Sequence, residues 1–302
     1  MCPPVCAMIP KEVLKNIRRI QISTSRMVTD VFAGQYRSVF KGRGMEFDEV
    51  REYQPGDDIR SIDWNVTARL GHPYVKKFVE ERELTVMLMV DVSRSMYYGT
   101  TPYLKKKLAA ELCSVLAFSA IKSNDKVGLI VFSDEVERFV PPRKGTSHVL
   151  RIIRDVLYTE AERVGTDIGG ALKYLDGVCK RRSVVFLISD LYDDNIRRAL
   201  SAVRKKHDLV AITLTDRSEK ELVPAGILSV VDAETGRPYA IDTGDPKVRQ
   251  AYASRSRELL DARRRMLQSI RVDHVDLNND QSYINELVKF FRMRERRKSK
   301  VL

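Results

Sequence analysis

Histidine, cysteine and tryptophan are scarce in this 302-residue chain, which holds four, four and one of them. His72, His148, His207 and His274 are scattered and share no metal-ligand spacing, so imidazole-based zinc chemistry is not expected. The cysteines form no disulfide framework. Cys113 and Cys179 fall in apolar helical patterns and read as core thiols. Cys2 and Cys6 would be half a metal site with no second pair to complete it, and read as a reduced terminus. No apolar run approaches the roughly 18 residues that span a bilayer. The opening stretch MCPPVCAMIPKEVLKNIRRI has no apolar segment long enough for a signal peptide, so a cytoplasmic location is expected. A G-x-x-x-x-G-K-[ST] loop is missing, so the chain is not itself a P-loop ATPase. A G-x-S-x-G elbow is missing too, which removes the nucleophile turn of α/β-hydrolases.

What is present is an ordinary globular composition, 43% hydrophobic and 31% charged, with material for a sizeable core. The net charge is +12. Much of it lies late, in RMRERRKSK at 292–300 and at Arg263, Arg264 and Arg265. A basic surface suits nucleic acid, anionic lipid or an acidic protein partner. No aromatic residues interleave with the charges of the tail, as single-strand binding would want, so a solvated helix face is the favoured reading.

Residues 11–32 carry Val13, Leu14, Ile17 and Ile20 at helical spacing. Residues 40–83 are punctuated by Gly42, Gly44, Pro55-Gly56 and Gly71-His72-Pro73, and read as short strands and loops. From Leu84 the pattern becomes strand and helix in alternation. Strands are expected at 84–91, 127–133, 183–189, 209–214 and 272–277. Helices are expected at 101–123, 147–158, 167–179, 194–206, 246–270 and 281–297. A short strand at 135–141 should be an antiparallel edge, and 227–242 should form a hairpin turning at Thr235-Gly236. Continuous apolar strands separated by helices predict an α/β fold, a mostly parallel sheet with helices on both faces. Such sheets place ligands beyond the carboxyl ends of their strands.

The stretch LTVMLMVDVSRSM, residues 84–96, shows what stands at one such end. An apolar strand stops in Asp91, Ser93 and Ser95, polar groups that the core does not need. Two later segments bring similar groups to comparable places: GTDIGGAL at 165–172, with Thr166 and Asp167, and FLISDL at 186–191, with Asp190. Asp167 reads as a helix cap. The remaining set has oxygen donors only, which suits Mg²⁺ or Mn²⁺. Neutral hydroxyls would leave the ion's charge largely uncancelled, so it would seek a further anionic oxygen, such as a carboxylate of another protein.

The order D-x-S-x-S, then Thr, then Asp, resembles the metal-ion-dependent adhesion site of von Willebrand factor A domains, with all five positions matching. Upstream, residues 46–83, EFDEVREYQPGDDIRSIDWNVTARLGHPYVKKFVEERE in one-letter code, resemble the signature of a bacterial family catalogued as domain of unknown function fifty-eight. The resemblance covers the chain from about Ile17 to Phe290-Phe291. It implies a von Willebrand A-like (Rossmann-like) domain over 83–302 with a β-hairpin insertion near 227–242. Before it, residues 1–82 would form an N-terminal helix and a small β-rich, family-specific region. It also implies a non-enzymatic adaptor for a MoxR-type AAA+ ATPase, with Mg²⁺ or Mn²⁺ held by Asp91, Ser93, Ser95, Thr166 and Asp190. Asp57, Asp58 and Asp63 with Trp64 would either make a docking surface or, the favoured reading, a turned structural motif with Trp64 packed on the sheet domain.

Two other functions compete. A metal-dependent phosphoryl transferase would use Asp91 as nucleophile. It would usually need a second carboxylate two residues on, where this chain has Ser93, and a lysine near the phosphate. Nucleic-acid binding through the basic helices would show as a steep salt dependence.

Overall fold

The computed structural model describes residues 34, 36, 39, 40, 46–79, 83–100, 104–161, 165–193, 196–231, 237–280 and 282–299. The helix expected over 11–32, Cys2, Cys6 and the turn at Thr235-Gly236 lie outside these residues.

In the N-terminal block, β1 (Glu46–Glu52) pairs antiparallel with β2 (Tyr74–Val79). Between them lie a 3-10 turn, Ile59–Ser61, and a helix, α1 (Trp64–Leu70). The strand-and-loop reading of this block did not anticipate α1. Its signals are local: the Asp63 carboxylate accepts from Asn65 and Val66 N–H, and Gly71 ends the helix at φ 77°, which glycine adopts without steric cost. The other two aspartates are braces as well. Asp57 accepts two hydrogen bonds from the Arg51 guanidinium, at 2.7 and 2.8 Å, and one from Gln54 N–H. These bonds, Arg51's first, hold the Asp57 carboxyl below its ordinary pKa. Asp58 caps the 3-10 turn. Trp64 departs from expectation, because it is 66% exposed instead of packed on the sheet domain, and Ile59 and Leu70 beside it are exposed too.

The alternating region builds one six-stranded sheet. In chain order it runs β3 (Thr85–Asp91), α2 (Lys105–Lys122), β4 (Lys126–Phe132), β5 (Val136–Arg143), α3 (Thr146–Tyr158), α4 (Ile168–Val178), β6 (Val184–Ser189), α5 (Ile196–Lys206) and β7 (Asp208–Thr215). The exposed hairpin of β8 (Ile227–Val231) and β9 (Pro238–Asp242) follows, then α6 (Pro246–Ser269), β10 (Asp273–Asn278) and α7 (Tyr283–Ser299). The spatial order is β10-β7-β6-β3-β4-β5. All neighbours are parallel except β5, which runs antiparallel to β4 at the edge, as expected from the short turn between them.

Strand alternation divides the core in two. Val86, Leu88 and Val90 of β3 join a cluster with Leu112 of α2, Ile152 of α3 and Phe291 of α7. Met87 and Met89 face the other way, into a cluster with Leu172 of α4, Leu200 of α5 and Leu267 of α6. Helices therefore cover both faces, and the α/β fold class read from the sequence is the one observed. Tyr36, Val39 and Phe40 are also buried in the first cluster, where Phe40 packs edge-on against Phe186 and Phe291. The Tyr36 hydroxyl donates to Asp125, whose other oxygen takes the Leu84 N–H.

The chain runs outward from β3 to β4 and β5, then returns to β6 on the other side of β3. Such a reversal is where α/β sheets place their ligands, here beyond the carboxyl ends of β3 and β6.

Gly128, in the middle of β4, marks where the β4–β5 pairing shifts register. A Cβ there would lie 2.6 Å from Met87 Sδ and 3.0 Å from the Val140 carbonyl oxygen. Gly128→Ala should therefore cost about 1–3 kcal/mol by overpacking. Denaturant titration of both proteins checks this, and an unchanged midpoint would contradict it.

Candidate metal centre

β3 ends in Asp91, which is completely buried. The next residue is still held to the sheet, since Val92 N–H donates to the Phe132 carbonyl at 2.9 Å. The chain then turns, because Asp91 Oδ1 accepts from Ser93 N–H at 2.8 Å, an aspartate folding the backbone just after itself. A 3-10 turn, Arg94–Tyr97, follows, and it brings the Ser93 and Ser95 hydroxyls to 3.0 Å from each other.

β6 supplies the second wall. Its last residue, Ser189, donates its hydroxyl to Asp91 Oδ2 at 2.7 Å and accepts from Leu191 N–H at 3.0 Å. Leu191 sits at φ 55°, and Asp190 between them is buried. The loop before α4 is tied to the same edge by Asp167 N–H donating to the Ser133 carbonyl, just past β4. Thr166 thus stands half-buried at this edge, and among the described residues its hydroxyl has no hydrogen-bond partner. Asp167 caps α4 through Gly170 N–H, as expected. The structure therefore gathers Asp91, Ser93 and Ser95 in one turn, sets Asp190 on the adjacent strand end, and leaves Thr166 at the same edge without a bond to the other four.

Three participants were not visible in the sequence. Ser189 is one. Lys105, in the first turn of α2, is another: it is fully buried, and its ammonium donates to Asp190 Oδ2 at 3.0 Å and to Glu219 Oε1 at 2.5 Å. Glu219 is the third, ending a 3-10 turn, Arg217–Glu219, after β7. That turn is fixed by Asp216, whose carboxylate accepts from Ser218, from Asn279 and from Thr100 N–H and hydroxyl. Burial works against the Lys105 ammonium, but Asp190 and Glu219 outweigh it and raise its pKa above the ordinary lysine value.

Asp91 has no such partner. Burial, and after it the charge of Asp190, push its carboxyl up to about 6, against the pull of the hydrogen bonds from Ser189 and Ser93. The Lys105 ammonium is in contact with two carboxylates, Asp190 and Glu219, and with Asp91 close by the excess charge at this edge is negative. The described residues contain no group of three or more His, Cys, Asp or Glu placed to hold a metal. Asp91 and Asp190, the Ser93 and Ser95 hydroxyls and Thr166 at the same edge are nevertheless oxygen donors of the kind that suits a hard divalent cation.

The family model described as Protein of unknown function DUF58 matches residues 49–261. This chain belongs to the DUF58 family. Uncharacterized protein Rv1480 of Mycobacterium tuberculosis and Uncharacterized protein Mb1516 of Mycobacterium bovis are each 29% identical over 93% of this chain and 89% of their own. Among solved structures, the conserved hypothetical protein BatB from Bacteroides thetaiotaomicron aligns with a TM-score of 0.47 at 17% identity, covering 70% of this chain and 99% of its own. The SpRpn10 VWA domain aligns with a TM-score of 0.38 at 13% identity, covering 68% and 94%. No helix among the described residues of this DUF58 protein is long and apolar enough to cross a membrane.

The raised pKa of Asp91 gives a signed prediction for the metal-free protein. Its folded value, about 6, exceeds the unfolded value near 3.8, so the charged form costs stability above pH 6. That cost disappears as pH falls below 4. Asp91→Asn carries no such charge, so its stability advantage over the wild type should shrink by up to about 3 kcal/mol between pH 7 and pH 4. Urea titrations in EDTA across this range measure the gap, and a gap independent of pH would contradict the assignment.

Proposed function

We propose that this DUF58 protein is a non-enzymatic interaction module that holds one Mg²⁺ or Mn²⁺ at the carboxyl edge of its sheet and uses it to capture an acidic residue of a partner. The observation that carries the reading is Asp91, a buried carboxylate with two hydroxyls beside it and no cation in contact. Asp91, Ser93 and Ser95 would hold the ion from the turn after β3, Thr166 from the loop before α4, and Asp190 from the end of β6, some of them through water. The ion, when bound, supplies an electrophilic coordination position for a carboxylate oxygen. The chain's own part is to fix that position. The Ser189 hydroxyl orients Asp91, the Ser93 N–H sets the turn, and Asp216 locks the following loop through Thr100. The family resemblance points to a MoxR-type AAA+ ATPase as the partner, in the cytoplasm.

The phosphoryl-transfer alternative is less well served. Ser93 stands where a second carboxylate would be needed, and Lys105 is already spent on two carboxylates. Nucleic-acid binding loses part of its basic surface to ion pairs: Arg264 with Asp276, and Arg294 and Arg297 with Asp273.

Calorimetric titration with Mg²⁺ should give one site in the wild type and none in Asp91→Ala. Pull-down of the ATPase should fall equally with EDTA and with Asp91→Ala. Retention of the ATPase under both treatments would sink the metal bridge, and turnover of a phosphorylated substrate lost in Asp91→Ala would favour the enzyme.

A further inference from the structure

We propose that Lys105 is a resident counter-cation that competes with the divalent ion for Asp190, so that Lys105 and Glu219 set how readily the site fills. This rests on the cation reading of the Asp91 cluster and adds a control to it.

The geometry is specific. Lys105 has no solvent exposure, and its ammonium lies 3.0 Å from Asp190 Oδ2 and 2.5 Å from Glu219 Oε1. A lysine at the start of a helix ordinarily extends into water, where its charge is best solvated. Here it points inward and spends its hydrogen bonds on two carboxylates from different strand ends, after β6 and after β7. Asp190 is thereby satisfied before any ion arrives. Two consequences follow. The oxygen that faces Lys105 must give up that bond, or share it, to serve a metal. The ammonium also repels a cation placed within a few ångströms, in surroundings too dry to screen it. Glu219 is what makes release possible. Lys105 that lets go of Asp190 remains paired with Glu219, whose other oxygen accepts from Asp216 N–H and which belongs to a turn anchored independently of the metal residues. The ammonium therefore has a second place to rest, and Asp190 can change partners without leaving a buried lysine unpaired.

Removing Lys105 alone would strand two carboxylates, so the informative protein is Lys105→Met/Glu219→Gln. It deletes one positive and one negative charge. The cluster's net charge is unchanged, and only the local hold on Asp190 is lost. Glutamine keeps an oxygen for Asp216 N–H, and methionine keeps the bulk of the lysine stem. Thermal unfolding verifies that the double variant folds. Calorimetric titration with Mg²⁺ should then show binding tighter than wild type by at least about tenfold, since removing the adjacent ammonium relieves a short-range repulsion. Equal or weaker binding in a folded double variant, with wild-type binding present and lost in Asp91→Ala, would overturn the competition while leaving the cation site standing. No Mg²⁺ binding in wild type or double variant would overturn both.

Discussion

A buried carboxylate at the end of a buried strand is the constraint around which this molecule is arranged. Asp91 stands where an apolar strand runs out, and burying its charge is costly unless the surroundings answer it. The answer is assembled from distant parts of the chain. Ser93 N–H folds the chain back upon the carboxylate, and Ser189 reaches it from the neighbouring parallel strand. The Ser189 bond joins β3 to β6 just where the chain order of the sheet reverses, and together with the Ser93 turn it sets the serine hydroxyls and Asp190 at the same sheet edge. The sheet supplies rigidity: β3 is flanked by strands on both sides and covered by helices on both faces.

Charge compensation at this edge is divided unequally. Asp190 and Glu219 share the Lys105 ammonium, while Asp91 has only dipoles. Hydrogen bonds from hydroxyl and amide lower the energy of a buried charge without cancelling it. The imbalance separates this edge from an ordinary structural ion pair, and on the proposed reading a bound cation would answer it. On that reading the hold of Asp216 on Thr100, in the loop after Ser95, has a use as well. A rim that is to present a ligand to another protein must not move when the ligand binds.

Much of this was legible in the sequence. Uninterrupted apolar runs at 84–91 and 183–189 identified strands covered on both faces, and the brief turn after 127–133 identified an antiparallel edge. Asp91, Ser93 and Ser95 stood out because polar groups ended an apolar strand. Other features were hidden for physical reasons. Lys105 sits in the run Lys105-Lys106-Lys107, which reads as a solvated helix start. Its burial depends on partners 85 and 114 residues away, and no local pattern encodes that. Ser189 is one more small residue in a buried strand, and only strand order reveals that it faces Asp91. α1 was missed because glycines and prolines crowd its surroundings, although Asp63 and Gly71 are sound caps. The exposure of Trp64 ran against the usual habit of a lone tryptophan.

The central claim is that the cluster around Asp91 is built for a hard cation. The most direct measurement is the anomalous difference density of a crystal grown with Mn²⁺. One peak is expected between the Ser93 and Ser95 hydroxyls and Asp91, within reach of Asp190. Strong Mn²⁺ peaks elsewhere, with only protein and water density at that position, would contradict the account.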